Sequence, residues 1–325
     1  MRVPLHDLTL LLQSDSSRIQ DEWGQFYAPF LSAEELQPEG RGAEVCFRLN
    51  LRPSVPPPPA GAPSYRQPDL AVYRDGEIYL LHLPRLGQLR IDPTARTVDG
   101  VLIPAALDVY GAFEDINALG LAPLFRRHGR ALIHAFAAAH RGRALLLVGD
   151  NASGKTTTGL ALLTAGWKLI ANDAPLLGER EGRVMAFAFP GLLSLHADAL
   201  GRIPALEPLL ADPGPSRPGW KITFPAQDHF LDPWLREAEV KAVCLLSLEA
   251  EAGPSEHTLA RISPAVALGQ LLPHSVDRWD QETLAFQLDL LHQLARQAPV
   301  YQLRLGPDVP ALPGLLETLL TDGGE

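Results

Sequence analysis

Gly149, Gly154, Lys155 and Thr156 stand at the spacing G-x-x-x-x-G-K-T within GDNASGKTTTGLALLTAGWKLIANDAP, residues 149–175. That spacing suits a loop wrapped around the β-phosphate of a nucleotide, with backbone N–H groups turned inward and glycines supplying dihedrals that side chains forbid. The lysine ammonium would neutralise β- and γ-phosphate charge, and the threonine hydroxyl would hold magnesium. A helix leaving the loop adds its positive N-terminal end. Asn151, Ser153 and Thr157 complete the expected nucleotide contacts. The next acid, Asp173, closes the apolar segment that follows. Ligands gather at strand C-termini in an open α/β sheet, so a carboxylate there can face the loop. Two roles suit it, an outer ligand to magnesium or a base accepting the proton of an attacking hydroxyl; the structural alternative is a turn cap in the Asn-Asp pair.

The elements that must position these groups are written in the apolar pattern. RALLLV (143–148) predicts a buried strand running into the loop, TTTGLALLTAG (156–166) a helix stopped by Gly166, and WKLIAN (167–172) a second strand. Further strands are predicted at RVMAFAF, VKAVCLLSL and PVYQLRL, an amphipathic helix through Leu284, Leu288, Leu291 and Ala295, and a short last helix in ALPGLLETLL. Residues 1–40 read as helical from the apolar spacing in DLTLLLQ and IQDEWGQFYAPFL. Residues 44–50, 69–74, 76–83, 87–92 and 96–104 read as short strands with a hairpin turn at Asp75-Gly76, and helical spacing returns from Ala105 to about His128. The pattern predicts a strand-rich α+β domain over 1–125 and an α/β phosphate-loop domain with a mixed central sheet over 126–325.

Composition excludes several partners. A net charge of -10 and a pI near 5.5 lack the electrostatic footprint of a nucleic-acid binder. Charges interrupt every apolar run before the roughly 18 residues a membrane span needs, and the first apolar run is broken by His6 and Asp7 without a cleavage site, so a cytoplasmic protein with no membrane partner is expected. Cys46 and Cys244 are the two cysteines, too few for a disulfide framework. Of 28 basic residues four are lysines, Lys155, Lys168, Lys221 and Lys241, as a GC-rich genome favouring arginine would give. One of the four occupies the glycine loop, where a compact point charge on a flexible stem is preferred over a planar guanidinium. Lys221 is a second candidate, reaching the γ-phosphate or an acidic group from a distant loop. No G-x-S-x-G elbow exists, which removes a Ser-His-Asp hydrolase.

With loop, helix and second strand in place, residues 125–325 resemble the C-terminal catalytic domain of HPr kinase/phosphorylase and the wider HPr-kinase-related group, a fold similar to the nucleotide-dependent phosphoenolpyruvate carboxykinases. The resemblance is carried by LIHAFAAAHRGRALLLVGDNASGKT and GWKLIAND, and more weakly by FPGLLSLHADALG, GWKITFP and the C-terminal PVYQLRL region. It implies a role for His134, fifteen positions before Gly149, in orienting a phosphate or a carboxylate. It also makes the first acid of a closing Asp-Asp pair the base, and here Asn172 fills that position. An amide accepts no proton at neutral pH, so the role passes to Asp173 or is absent. A Glu-Val-Arg-Gly-like segment is missing, and HPr itself is not the expected acceptor.

The expected function is therefore a magnesium-dependent, ATP-using kinase acting on a hydroxyl of a protein, peptide or small molecule. Asp173, His134 and Lys221 are its catalytic candidates, and Thr156 with Asp173 its metal ligands. A homo-oligomer is compatible with the resemblance. The alternative is an ATP- or ADP-binding regulatory or scaffold protein whose chemistry was lost with the change to Asn172.

Overall fold

The computed structural model describes residues 1–31, 42–196, 201–207, 221–247, 256–275 and 277–321. Residues 32–40 of the segment read as helical, and residues 197–200 and 219–220 of the resembling stretches, lie outside them. The chain forms two compact units, Met1–His128 with Asp277–Thr283, and Gly129–Val276 with Leu284–Glu325. Both are mixed α/β. No helix among the described residues is long and apolar enough to cross a membrane.

The first unit is an eight-stranded sheet in the order β1-β2-β3-β8-β7-β6-β5-β4. Its strands are β1 (Arg2–Leu5), β2 (Leu8–Gln13), β3 (Ala43–Leu51), β4 (Tyr65–Gln67), β5 (Leu70–Asp75), β6 (Ile78–Leu83), β7 (Gly87–Asp92) and β8 (Thr97–Leu102). Alternate residues Val45, Phe47 and Leu49 of β3, Leu89 and Ile91 of β7, and Val98 of β8 are fully buried, while their neighbours are half-exposed. That period of two marks a sheet covered on one face. The helices of this unit are α1 (Ser17–Phe26), α2 (Ala105–Asp108) and α3 (Ala112–Arg127). Gly120 lets α3 approach the sheet: a Cβ there would stand 3.0 Å from the Phe47 ring.

The helical reading of residues 1–40 is corrected at its start. Arg2–Leu5 and Leu8–Gln13 form an antiparallel hairpin closed by His6-Asp7, with Leu5 paired to Leu8 and His6 at φ +59°. Leu8, Leu10 and Leu12 are buried on one face, a period-two set within a run whose neighbouring leucines also satisfy helical spacing. A two-residue turn without glycine carried no recognisable signal. Among the described residues of this segment the α-helix is Ser17–Phe26, which buries Ile19, Trp23 and Phe26, and a 3-10 turn follows at Ala28–Phe30.

A segment from late in the chain completes this unit. Asp280, fully buried, accepts from Tyr79 Oη at 2.6 Å and Arg126 Nε at 2.8 Å, and the Trp279 ring lies 5.1 Å below the Arg126 guanidinium. Burial alone would raise the Asp280 pKa, but Arg126, Tyr79 and Arg127 together hold it below the ordinary carboxylate value.

The second unit is built on β9 (Arg130–Leu132), β10 (Ala135–His140), β11 (Arg143–Val148), β12 (Lys168–Ala171), β13 (Leu176–Arg180), β14 (Arg183–Phe187), β15 (Leu193–His196), β16 (Lys221–Phe224), β17 (Glu237–Ser247), β18 (Thr258–Ile262) and β19 (Val300–Arg304). Nine of them form one sheet along β12-β10-β11-β17-β14-β13-β9, with β19 joined to β17 and β18 to β19; β15 and β16 form a separate hairpin. The sheet is mixed: β11 runs parallel to β17, and β17 parallel to β19, but β10 is antiparallel to both β11 and β12. Two antiparallel steps restore direction, so β12 runs the same way as β11. The C-terminal ends of β11 and β12 and the start of β10 therefore share one sheet edge, with Val148 opposite Ala135 and Ala171 opposite Ala137.

Among the described residues the α-helices of this unit are α4 (Lys155–Thr164), α5 (Pro264–Leu271), α6 (Leu284–Gln297) and α7 (Leu312–Glu317). Glycine inside a helix costs about 1 kcal/mol against alanine. In α4 close packing requires it: a Cβ at Gly159 would sit 2.4 Å from the Phe136 ring of β10. Gly166, at φ +87°, then ends the turn after the helix.

Candidate functional site

The loop after β11 has the backbone of an anion-binding concavity. Ala152 (φ +64°) and Gly154 (φ +95°) are left-handed, with Ser153 between them donating its N–H to Asp150 O at 3.1 Å. A left-handed alanine is strained, and such strain concentrates at functional loops. Gly149 is fixed by crowding, since a Cβ there would lie 2.8 Å from Leu246 O and 2.7 Å from Ser153 Oγ. Ser153 Oγ, buried in the loop, has no hydrogen-bond partner among the described residues. Thr156 and Thr157 are half-buried on the first turn of α4, and Asn151 is exposed.

Lys155 is the first residue of α4 and almost fully buried, at 7% exposure. Its Nζ donates to Gly149 O at 2.7 Å and Asp150 O at 3.0 Å, and lies 3.0 Å from His134 Nε2. Burial pushes its pKa below the usual lysine value, Asp173 and Asp150 oppose the shift, and Lys221 adds to it. Two of the four lysines are thus within electrostatic reach of one another. Lys221 opens β16, paired in register with His196 of β15.

His134 links the lysine to the acid. With the ammonium donating to Nε2, Nδ1 carries the ring hydrogen and faces Asp173 Oδ1 at 3.3 Å. Burial lowers the His134 pKa; Asp173 opposes this and Lys155 reinforces it, leaving the value below that of a free imidazole. The Asp173 side chain is 62% exposed, while its carbonyl is fixed by Ala135 N–H at 3.0 Å. Loop, helix start, His134 and Asp173 are therefore brought together on the shared edge. An ammonium, an imidazole and an open carboxylate in line can hold a polyanion at one end and receive a hydroxyl proton at the other.

Asn172 is turned elsewhere. Its Nδ2 donates to Leu192 O at 2.9 Å, just ahead of β15, and its Oδ1 is buried without a partner among the described residues. An Asn172→Asp variant sets carboxylate oxygen against carbonyl oxygen, so it is expected to lose about 1–3 kcal/mol in denaturant unfolding and to gain no transferase activity. A stable variant with raised activity would show that the amide is an impaired base, not a strut.

For magnesium, the donors on offer are the Thr156 hydroxyl and the Asp173 carboxylate. These are hard oxygen donors of the kind magnesium takes, one or two at a time, alongside phosphate oxygens and water. Among the described residues no three His, Cys, Asp or Glu side chains cluster in a way that could hold a metal without such help.

One imidazole at this edge has no motif in the sequence. His274, three residues past the end of α5, accepts the His134 N–H on its carbonyl at 2.7 Å. It arrives from more than a hundred residues downstream, and LPHSVD offers no spacing that could have announced it.

No family model matches the chain, and no curated protein matches it. Among solved structures it is similar to the HPr(Ser) kinase/phosphatase from Coxiella burnetii, with 17% identity, 58% of this chain and 92% of that one covered, and a TM-score of 0.30. A superposition that loose transfers no residue role.

Proposed function

We propose that the second unit is an ATP-dependent phosphotransferase acting on a hydroxyl acceptor, with residues 149–156 as its phosphate loop. One observation carries this reading: Lys155 Nζ is held between Gly149 O, Asp150 O and His134 Nε2, with Asp173 on the far side of His134. Among the described residues this buried ammonium hydrogen-bonds to two carbonyls and a neutral imidazole, with the Asp150 and Asp173 carboxylates acting on it without a direct ion pair, and a triphosphate supplies an anion in direct contact. The inward N–H groups of the loop and the start of α4 bind the same group. Thr156 and Asp173 would hold magnesium, which neutralises developing charge on the phosphate oxygens when bound. Asp173, exposed beside His134, receives the proton of the acceptor hydroxyl. Lys155 and Lys221 then stabilise the charge on the transferring group by position alone.

The test is calorimetric titration with a magnesium-bound, non-hydrolysable ATP analogue. Binding at one site per chain supports the reading, and no detectable binding at millimolar analogue rejects it. The commitment of Asn172 to Leu192 O favours a second reading, a nucleotide-binding regulatory protein. That protein would bind the analogue equally well and transfer nothing.

A further inference from the structure

We infer that His274 is a ligand of the terminal phosphoryl group, a second imidazole that lets this site distinguish a nucleoside triphosphate from a diphosphate. The inference rests on the phosphate-loop reading above. Its geometry begins with the backbone. Because Ala135 pairs with Val148, the residue before β10 stands opposite the first loop residue, and it is this residue, His134, whose N–H the His274 carbonyl accepts at 2.7 Å. His274 is thereby fixed at the mouth of the loop, beyond the sheet edge.

Its ring is placed as deliberately. Ser263 Oγ caps α5 by accepting from Val266 N–H, Pro264 opens it, and the chain continues without a break through Leu272–His274 as a 3-10 turn. Ser275 Oγ ties the end back to Leu271 O at 2.7 Å. The His274 ring then lies nearly parallel to that of His134, at 22° and with centroids 6.3 Å apart. Neither of its nitrogens hydrogen-bonds to any described residue, although the ring is half-buried. A positioned imidazole with an unspent N–H beside an anion-binding loop is a hydrogen-bond donor for that anion.

The charged groups around the ring agree with a neutral donor. Burial lowers the His274 pKa, Asp150 on the loop opposes this, and His134 and Lys155 add to it. A neutral imidazole still offers one N–H, so the contact does not depend on protonation. His134 stands between Lys155 and Asp173, which marks that side as the end where the transferring group lies. From the His274 ring's place beside that of His134, the contact is assigned to that group and not to the part of a nucleotide that a diphosphate retains.

The experiment measures the affinities of the magnesium complexes of ADP and of a non-hydrolysable ATP analogue for the full-length wild type and for the His274→Ala, His274→Gln and Lys155→Met variants. His274→Ala is expected to weaken the analogue about tenfold and ADP less than twofold. His274→Gln, which keeps a donor, is expected to recover the analogue to within about threefold of wild type. Loss of both nucleotides to the same degree in His274→Ala, or no loss of either, overturns the inference. If His274→Ala does not fold, a Gln variant that binds the analogue no better than a His274→Leu variant overturns it instead. A His274 failure leaves the difference between wild type and Lys155→Met intact; a wild type that binds neither nucleotide removes the phosphate-loop reading itself, and this inference with it.

Discussion

Lys155→Met is expected to weaken binding of magnesium-bound ATP by at least a hundredfold, roughly 2.7 kcal/mol, while unfolding within about 1 kcal/mol of wild type. The two halves of this result have separate causes. Binding is lost because the ammonium is the one full positive charge built into the loop, held between two loop carbonyls and His134. Stability is nearly kept because two effects oppose each other. The buried ammonium has a depressed pKa, led by desolvation, so its charge costs the folded state free energy that methionine does not. Against that, Gly149 O and Asp150 O lose a donor. A variant that lost affinity only in proportion to lost folding would show that Lys155 is a structural residue. Parallel calorimetry and denaturant unfolding decide the point.

The second large effect is expected at Asp173. Asp173→Asn should reduce phosphoryl transfer by roughly 10²- to 10⁴-fold, the usual range for losing a positioned base, and leave nucleotide affinity within about threefold. The substitution is conservative where the fold is concerned. The side chain is largely exposed, and the residue is held in place by its own carbonyl, which Ala135 N–H binds. On the proposed roles, an amide cannot take the acceptor proton but still offers an oxygen to magnesium, so turnover is expected to fall far more than affinity. If affinity fell as far as turnover, Asp173 would instead be acting mainly through the bound metal.

Legibility in the sequence followed how local the signal was. The loop, the strand entering it and the helix leaving it are contiguous, and the glycine spacing and apolar runs specified all three. Asp173 was singled out because an apolar strand, buried at consecutive residues, ends just ahead of it. His134 lacked such a local mark, and the family resemblance pointed to it. Its partnership with Lys155 depends on β10 lying between β11 and β12, an antiparallel insertion that no residue spacing declares. His274 was missed for the same reason in stronger form, as it enters the site only through a long-range backbone bond to His134. The scarcity of lysine singled out Lys221, yet its electrostatic reach to Lys155 comes from the β15–β16 hairpin. In the first unit, short runs of alternating residues read correctly as strands, but Leu8–Gln13 satisfied both periods and was read as helix. Asp277–Thr283 gave no sign that it would complete the first unit, because a buried Asp280 is meaningful only beside Arg126 and Tyr79.

The most direct measurement is transfer of label from γ-labelled ATP to material in a lysate of the source cell, with purified wild type and Asp173→Asn compared at equal nucleotide occupancy. The account predicts a labelled acceptor with wild type and at least a hundredfold less label with the variant. Equal labelling by the two proteins, or none above background with a wild type that binds ATP, would contradict it.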